Sequence, residues 1–399
     1  MENIQFERNC PICGGTVGKT LFHFSVNMSD IKHFPAKYNV VACENCGMAF
    51  ADAALTKELL ESYYENQNNY ENVDHVKAGL YDESCAIYYK TIHSFCSKEE
   101  SILDIGCGNG HVLSFLKGKG YSSLCGLEPA KAAIKKLAEH GFEGIEGSIY
   151  RLSYHDIQKT FDTALCIGVL EHFLDLDISL EHISSLLKDD GKIYVALPAA
   201  EGFGEYIREL PNYFNVEHIN YFTLSSLDNL LRKYGFIRIT KKEESFALVN
   251  PSAPEVIISA MYQKTHGKKD IIYDSSGEIS IKKWLKEKNA GEKAIQKLVH
   301  NVLESKQKYA IWGTGNFCKY ILSRFPTLLD HILFFIDSNE GKRGESFQGK
   351  KIYMPEELTG QKNVHILICS MLSADEIAKQ AEERKLPFTV IRYEVLQKE

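Results

Sequence analysis

The chain has 399 residues, a hydrophobic fraction of 44% and a formal net charge of −7. It is long enough for two or three cores, and an acidic balance without a long Lys/Arg run excludes an electrostatic footprint for DNA or RNA. No apolar run approaches bilayer length, and the start Met1-Glu-Asn-Ile-Gln lacks the cationic start and apolar core of a signal peptide; a cytoplasmic monomer or homodimer is expected.

Residues 1–85 carry two cysteine pairs, Cys10-Pro-Ile-Cys13 and Cys43-Glu-Asn-Cys46, each followed by a glycine, Gly14 and Gly47. Two such knuckles supply four thiolates in the tetrahedral arrangement that zinc prefers, and the glycines let the backbone turn tightly around the sulfurs. The spacing predicts a structural zinc module. Four thiolates leave no position open for water or substrate, so a catalytic zinc is not expected. The other cysteines (Cys85, Cys96, Cys107, Cys125, Cys166, Cys318 and Cys369) are scattered, several of them in apolar runs, and read as free thiols rather than a disulfide scaffold. A polar stretch rich in Tyr and Asn, 62–75, follows the knuckles.

Residues 86–250 alternate strand and helix signals. Ser101–Asp104 is a predicted strand, followed by a glycine turn and a helix from Val112 to Lys119. Ser122–Leu127 is the next strand, Ala130–His140 a helix, and Phe161–Ile167 and Lys192–Leu197 are strands around a helix from Leu180 to Leu187. The alternation predicts an α/β domain whose parallel sheet is covered on both faces. Residues 251–305 read as a helical connector, clearest from Ala290 to Lys306. From Lys308 the alternation restarts: Tyr309–Trp312, His331–Asp337 and Val364–Ser370 are strands and Phe317–Phe325 a helix. This predicts a smaller Rossmann-like unit over 306–399.

The sequence Asp104-Ile-Gly106-Cys-Gly108-Asn-Gly110 follows a strand and opens a helix, and Glu128 ends the next strand. Such a turn lets a ligand approach the backbone, and an acid at the second strand can accept from both ribose hydroxyls. A carboxylate at the mouth of the turn would repel a pyrophosphate and suits a nucleoside with a cationic end. S-Adenosylmethionine meets that description. A capping Asp104 without a ligand role is the plain alternative.

These residues resemble the first motif and the ribose acid of class I methyltransferases that use S-adenosylmethionine. Phe161-Asp162 through Gly168 to Val169-Leu-Glu171-His172 resembles that family's fourth strand and the loop after it. The resemblance implies that Gly168 lies against the methionine end of the cofactor, and that Ser148 and Ile149 lie against adenine. The order of zinc module, class I core and C-terminal Rossmann-like unit further resembles the sugar C-methyltransferases, which act on thymidine-diphosphate-linked 4-keto deoxysugars. It implies a nucleotide-sugar substrate, with no nucleic acid and no membrane as partner.

Methylating a sugar carbon needs a base to remove a proton next to the ketone and a stabilised enolate. The segment Asn215-Val-Glu217-His218-Ile-Asn-Tyr221-Phe222 supplies candidates. By resemblance Glu217 and His218 lie in the active site, Tyr221 follows, and a further tyrosine comes from the segment after the knuckles: Tyr70 is favoured over Tyr64 and Tyr63. His218, with an ordinary pKa near 6.5, suits the base; the plain alternative is a structural histidine ahead of the helix cap Thr223. Phe203, Tyr206 and Tyr213 suit a pocket lining or plain packing equally. In the C-terminal unit, Gly313-Thr-Gly315 and Asp337 resemble part of a dinucleotide fingerprint, but Cys318 stands at its third glycine; a structural or substrate-closing role is expected. An O- or N-methyltransferase of a surface-polysaccharide precursor or another small molecule is the competing expectation.

Overall fold

A computed structural model of the chain describes residues 3–25, 37–65, 78–205, 214–215, 217–249, 255–265, 267, 270–305, 307–358, 364–370 and 373–391. The chain divides into two units, residues 1–206 with 210–282, and residues 207–209 with 283–399.

The first unit opens with four antiparallel strands, β1 (Asn3–Gln5), β2 (Val17–Ser25), β3 (Lys37–Cys43) and β4 (Ala49–Asp52). Both knuckles sit at the turns of this sheet, Cys10 and Cys13 between β1 and β2, Cys43 at the end of β3 and Cys46 between β3 and β4. After helices Lys57–Glu65 and Ala78–Phe95 come β5 (Ser101–Ile105), β6 (Ser123–Glu128), β7 (Glu143–Glu146), β8 (Phe161–Ile167) and β9 (Leu187–Pro198). Short strands β10 (Asn220–Tyr221), β11 (Phe236–Arg238) and β12 (Phe246–Val249) and the long β13 (Glu255–Lys264) complete the unit.

The central sheet runs β11-β13-β9-β8-β5-β6-β7, with β12 also on β13. β5 to β9 are parallel and β13 is antiparallel to β9. Strand order reverses at β5 and β8. The crevice beyond the carboxyl ends of strands at such a reversal is where open α/β sheets bind ligands. The sheet is covered on both faces. Leu103 and Ile105 of β5 join one apolar cluster with Ile183 and Leu227, and Ile102 joins another with Ile92, Leu113 and Tyr194. Near-continuous apolar runs therefore mark these strands.

One expectation is not met. Residues 251–305 are not a helical connector: Glu255–Lys264 is β13, inside the central sheet. Its run Val-Ile-Ile-Ser-Ala-Met-Tyr is β-branched and apolar, as a strand buried on both faces must be. Helix follows only at Ser276–Glu304. β10, the strand just after Glu217 and His218, lies outside the central sheet. It pairs antiparallel with β4, Asn220 opposite Phe50 and Tyr221 opposite Ala49, and so extends the N-terminal sheet to five strands.

The second unit has β14 (Tyr309–Trp312), β15 (Ile332–Ile336), β16 (Ser346–Phe347), β17 (Lys350–Tyr353), β18 (His365–Ile368) and β19 (Phe388–Val390) in the order β16-β17-β15-β14-β18-β19. All pairs are parallel except β16 with β17. Side chains alternate across β14: Tyr309 and Ile311 enter one cluster, Ala310 and Trp312 the other.

Candidate functional site

The four cysteine sulfurs converge. Cys10 Sγ lies 3.5 Å from Cys46 Sγ and Cys13 Sγ 3.5 Å from Cys43 Sγ, and all four lie within 4.8 Å of one another. None forms a disulfide. Gly14 and Gly47 have φ of 71° and 79°, and their N–H groups donate to Cys10 O and Cys43 O. Gly47 is also required by its neighbour, because a Cβ there would lie 1.9 Å from Asp274 O. The donor set fits zinc in number, softness and spacing.

Beyond the carboxyl end of β5, Asp104 is 4% exposed. Burial and then the charge of Glu128 push its carboxyl up to about 8. Glu128, equally buried at the end of β6, accepts from Gly108 N and Ala130 N, both at 3.1 Å. Burial raises its pKa and those two donors oppose the rise. Gly106 and Gly108 have φ of 70° and 50°. A Cβ on Gly106 would lie 2.5 Å from Val169 Cγ1, so the turn closes only with glycine. The crevice thus offers two buried carboxyls, acceptor-rich and without a basic residue in the turn. That set fits a ligand with an ammonium and ribose hydroxyls. Each Glu128 oxygen keeps a lone pair beyond its backbone donor. Ile149 is buried in the core and its carbonyl is 2.7 Å from His182 Nδ1; Ser148 Oγ accepts from Tyr150 N at 3.3 Å.

The loop after β8 links this crevice to a second set of side chains: a Cβ on Gly106 would meet Val169 Cγ1, and one on Gly168 (φ 66°) would lie 3.8 Å from Glu171 Oε1. Glu171 and His172 occupy a single turn of 3-10 helix, Leu170–His172. His172 Nδ1 is 3.1 Å from Glu217 O and its ring centroid is 4.7 Å from that of His218. The backbone N–H groups of Glu217 and His218 donate to Asn215 Oδ1 at 2.8 and 2.6 Å. The Tyr63 hydroxyl donates to the Glu217 carboxylate, and the Tyr64 ring packs edge-on to His172 at 6.1 Å. Burial pushes His172 down to about 4; burial, then the neighbouring His172, pushes His218 down to about 3. Burial pushes Glu171 up to about 8. Both imidazoles are therefore neutral near pH 7, with a lone pair to offer.

The structure brings together Glu217, His218, Tyr63 and Tyr64, and adds Glu171 and His172, which no spacing rule marks for this role. Tyr70, Tyr206 and Tyr213 lie outside the described residues. The Tyr221 hydroxyl is 3.3 Å from that of Tyr38, and its ring packs on Phe203 and Phe214. Thr223 caps the helix Leu224–Lys233, its side chain accepting from Ser226 N. In the second unit, Asp337 accepts from Thr314 N at 3.1 Å and from Lys342 Nζ at 2.9 Å.

Residues 82–240 match a family described as Methyltransferase domain, and residues 305–390 one described as C2185-like, N-terminal. A ubiquinone biosynthesis O-methyltransferase of Bradyrhizobium diazoefficiens is 28% identical over 119 residues, 29% of this chain and 47% of that protein. A tRNA U34 carboxymethyltransferase of Alteromonas mediterranea is 28% identical over 120 residues, 28% of this chain and 36% of that protein. A probable (S)-tetrahydroprotoberberine N-methyltransferase of Papaver bracteatum is 23% identical over 116 residues, 28% of this chain and 32% of that protein. The chain thus spans between a third and a half of these relatives. Among solved structures, the Burkholderia thailandensis 1,6-didemethyltoxoflavin-N1-methyltransferase, which contains S-adenosylhomocysteine, is similar at a TM-score of 0.40 and 18% identity, over 56% of this chain and 96% of that one. Residues 82–240 are accordingly a methyltransferase domain of Rossmann-like α/β fold.

Proposed function

We propose that this protein is an S-adenosylmethionine-dependent methyltransferase whose acceptor is a carbon of a nucleotide-linked keto deoxysugar. The observation that carries the reading is the continuity through Gly168 of two chemically different half-sites. One is the acidic crevice of Asp104 and Glu128. The other is the cluster of Glu171, His172, Glu217 and His218 with Tyr63 and Tyr64.

When bound, S-adenosylmethionine supplies an electrophilic methyl group. Asp104, Gly106, Gly108, Glu128, Ser148, Ile149 and Gly168 would hold it. His218 stays uncharged at neutral pH and offers its lone pair to the proton beside a ketone. Asn215 fixes the backbone of Glu217 and His218. Glu217 is held by Tyr63, and the Tyr64 hydroxyl, buried without a hydrogen-bond partner among the described residues, is free to donate to an enolate oxygen. The four-cysteine module would hold zinc for structure, through Cys10, Cys13, Cys43 and Cys46.

The test is incubation of the purified protein with S-adenosylmethionine and a thymidine-diphosphate-linked 4-keto deoxysugar in deuterated water. Methyl transfer with loss of one carbon-bound proton to solvent is expected. Transfer without that loss would redirect the reading to a hydroxyl or amine acceptor; no calorimetric binding of S-adenosylmethionine would end it.

A further inference from the structure

A second group of metal-ligating side chains lies apart from the cysteines. Glu171, His172 and His218 hold a carboxylate oxygen and two imidazole nitrogens within 4.8 Å of one another. Two chain segments supply them, and these segments are laced together. Ile219 N–H donates to Glu171 O at 2.9 Å, and Asn220 Nδ2 donates to Leu170 O at 2.9 Å and Phe173 O at 2.7 Å. The backbone therefore assembles the group without help from an ion.

We propose that Glu171, His172 and His218 form a second metal site, which takes a divalent transition ion of the zinc class through one carboxylate oxygen and two imidazoles. The proposal goes beyond the methyltransferase reading and does not depend on it.

The His172 tautomer supports it. Nδ1 faces a carbonyl, which can only accept, so the proton sits on Nδ1. Nε2 is left with its lone pair, 3.9 Å from Glu171 Oε1. Metal-bound histidines are held in this way, with the far nitrogen tied to a carbonyl or carboxylate. Independently, Glu171 is 4% exposed and its Oε2 is buried with no hydrogen-bond partner among the described residues. A carboxylate in that state is costly, and an ion beside it removes the cost.

The spacing agrees. Donors on a tetrahedral ion at about 2.0–2.2 Å lie about 3.4 Å apart. The 3.9 Å pair has to close by about half an ångström, and side-chain rotation brings in the widest pair. Two imidazoles disfavour calcium and magnesium, which want oxygen ligands. Three protein ligands leave at least one position of a tetrahedral ion open. An ion here would occupy the lone pair that proton removal by His218 requires, so it acts as an inhibitor of that step.

The experiment is titration of the full-length, metal-free protein with cobalt(II). The first equivalent should bring the thiolate-to-cobalt charge-transfer band of the cysteine centre, and a second should add only weaker d–d absorption. Glu171→Gln and His172→Gln should each weaken the second event at least about 10-fold and leave the thiolate band unchanged; that band also reports that each variant has folded. X-ray absorption of wild-type protein carrying zinc beyond the first equivalent gives a readout without substitution. Nitrogen and oxygen neighbours at about 2.0–2.2 Å are expected. One ion per chain up to about 100 µM free metal, sulfur neighbours only, or a second event that neither substitution touches would overturn the site. A second ion bound at this site, together with no methyl transfer to any sugar by protein carrying only the first equivalent, would sink the enzymatic reading and leave the site standing.

Discussion

The proton affinity of His218 is set first by burial and then by a second imidazole. An isolated histidine would protonate near pH 6.5, whereas His218 does so at about 3 and His172 at about 4. A general base works when unprotonated. With S-adenosylmethionine saturating, kcat/KM for the acceptor should therefore be flat from pH 5 to 7; a fall centred near 6.5 would mean that a solvated histidine does the work. His218→Ala should cut turnover at least about 100-fold with cofactor affinity nearly unchanged, and a loss below about threefold would remove it as the base. Asp104 shifts in the opposite sense. At about 8, it is protonated in the free protein at pH 7, and a ligand ammonium against it favours the carboxylate. Binding of S-adenosylmethionine should thus release close to one proton at pH 7, read by calorimetry in buffers of different ionisation enthalpy. Asp104→Asn should abolish the release. If the wild type releases none, Asp104 does not hold the ammonium.

At the level of elements, the decisive pairing is β10 on β4. It anchors the segment 217–219, through Asn220 and Tyr221, to the sheet whose turns carry the cysteines. Arg8, two residues before Cys10, adds a second tie. Its guanidinium donates to Asn220 Oδ1 at 2.7 Å and to Ile219 O and Leu174 O at 3.3 Å. Arg8→Met removes this donor from Asn220 Oδ1 and Leu174 O, while Ile219 O keeps Ala51 N at 2.9 Å, and should cost about 3 kcal/mol, or about 5–10 °C in melting temperature. Because the ties run to the segment beside His218, Arg8→Met should also lower turnover. Zinc removal should act on the same path. A strong chelator, or Cys10→Ser, should melt the N-terminal sheet and lower turnover together. Unchanged melting would mean that the cysteines are not a structural site.

At the level of the whole chain, the two units carry separate glycine turns with different surroundings. In the first, the acid Glu128 accepts, among the described residues, from backbone N–H groups of Gly108 in the turn and Ala130 at the next helix. In the second, Asp337 is held by Thr314 and by Lys342, whose ammonium occupies the carboxylate. Glu128→Ala should weaken S-adenosylmethionine binding at least about 10-fold, the loss of a charge-assisted hydrogen-bond partner. Asp337→Ala should change it less than about twofold. Equal losses would mean that the cofactor does not rest on the turn beside Glu128 alone.

Much of this is written locally. Tyr309–Trp312 and Phe161–Ile167 are strands over the residues expected, and the helix Lys131–Glu139 is within a residue at each end, because apolar runs bounded by glycine and polar turns fix such elements without outside help. The knuckles with their trailing glycines, the turn at Gly106–Gly110 and the acid at Glu128 are legible for the same reason: each is a short-range pattern with one chemical use. The Glu171–His172 turn reads from sequence only as a loop of the general family, and its approach to His218 has no signal. Nor has the pairing of β10 with β4, across a gap of more than 160 residues, or the place of β13 in the central sheet. Such contacts depend on which surfaces remain to be buried once the local elements exist, and no window of sequence holds that information. The sequence by itself determined which donors the chain has to offer, four paired thiolates and the two carboxyls at the ends of β5 and β6, since residue identity sets charge and softness. Only the tertiary structure decided which histidine faces which carboxylate and how far burial shifts each proton, because distance and dielectric belong to the packed molecule.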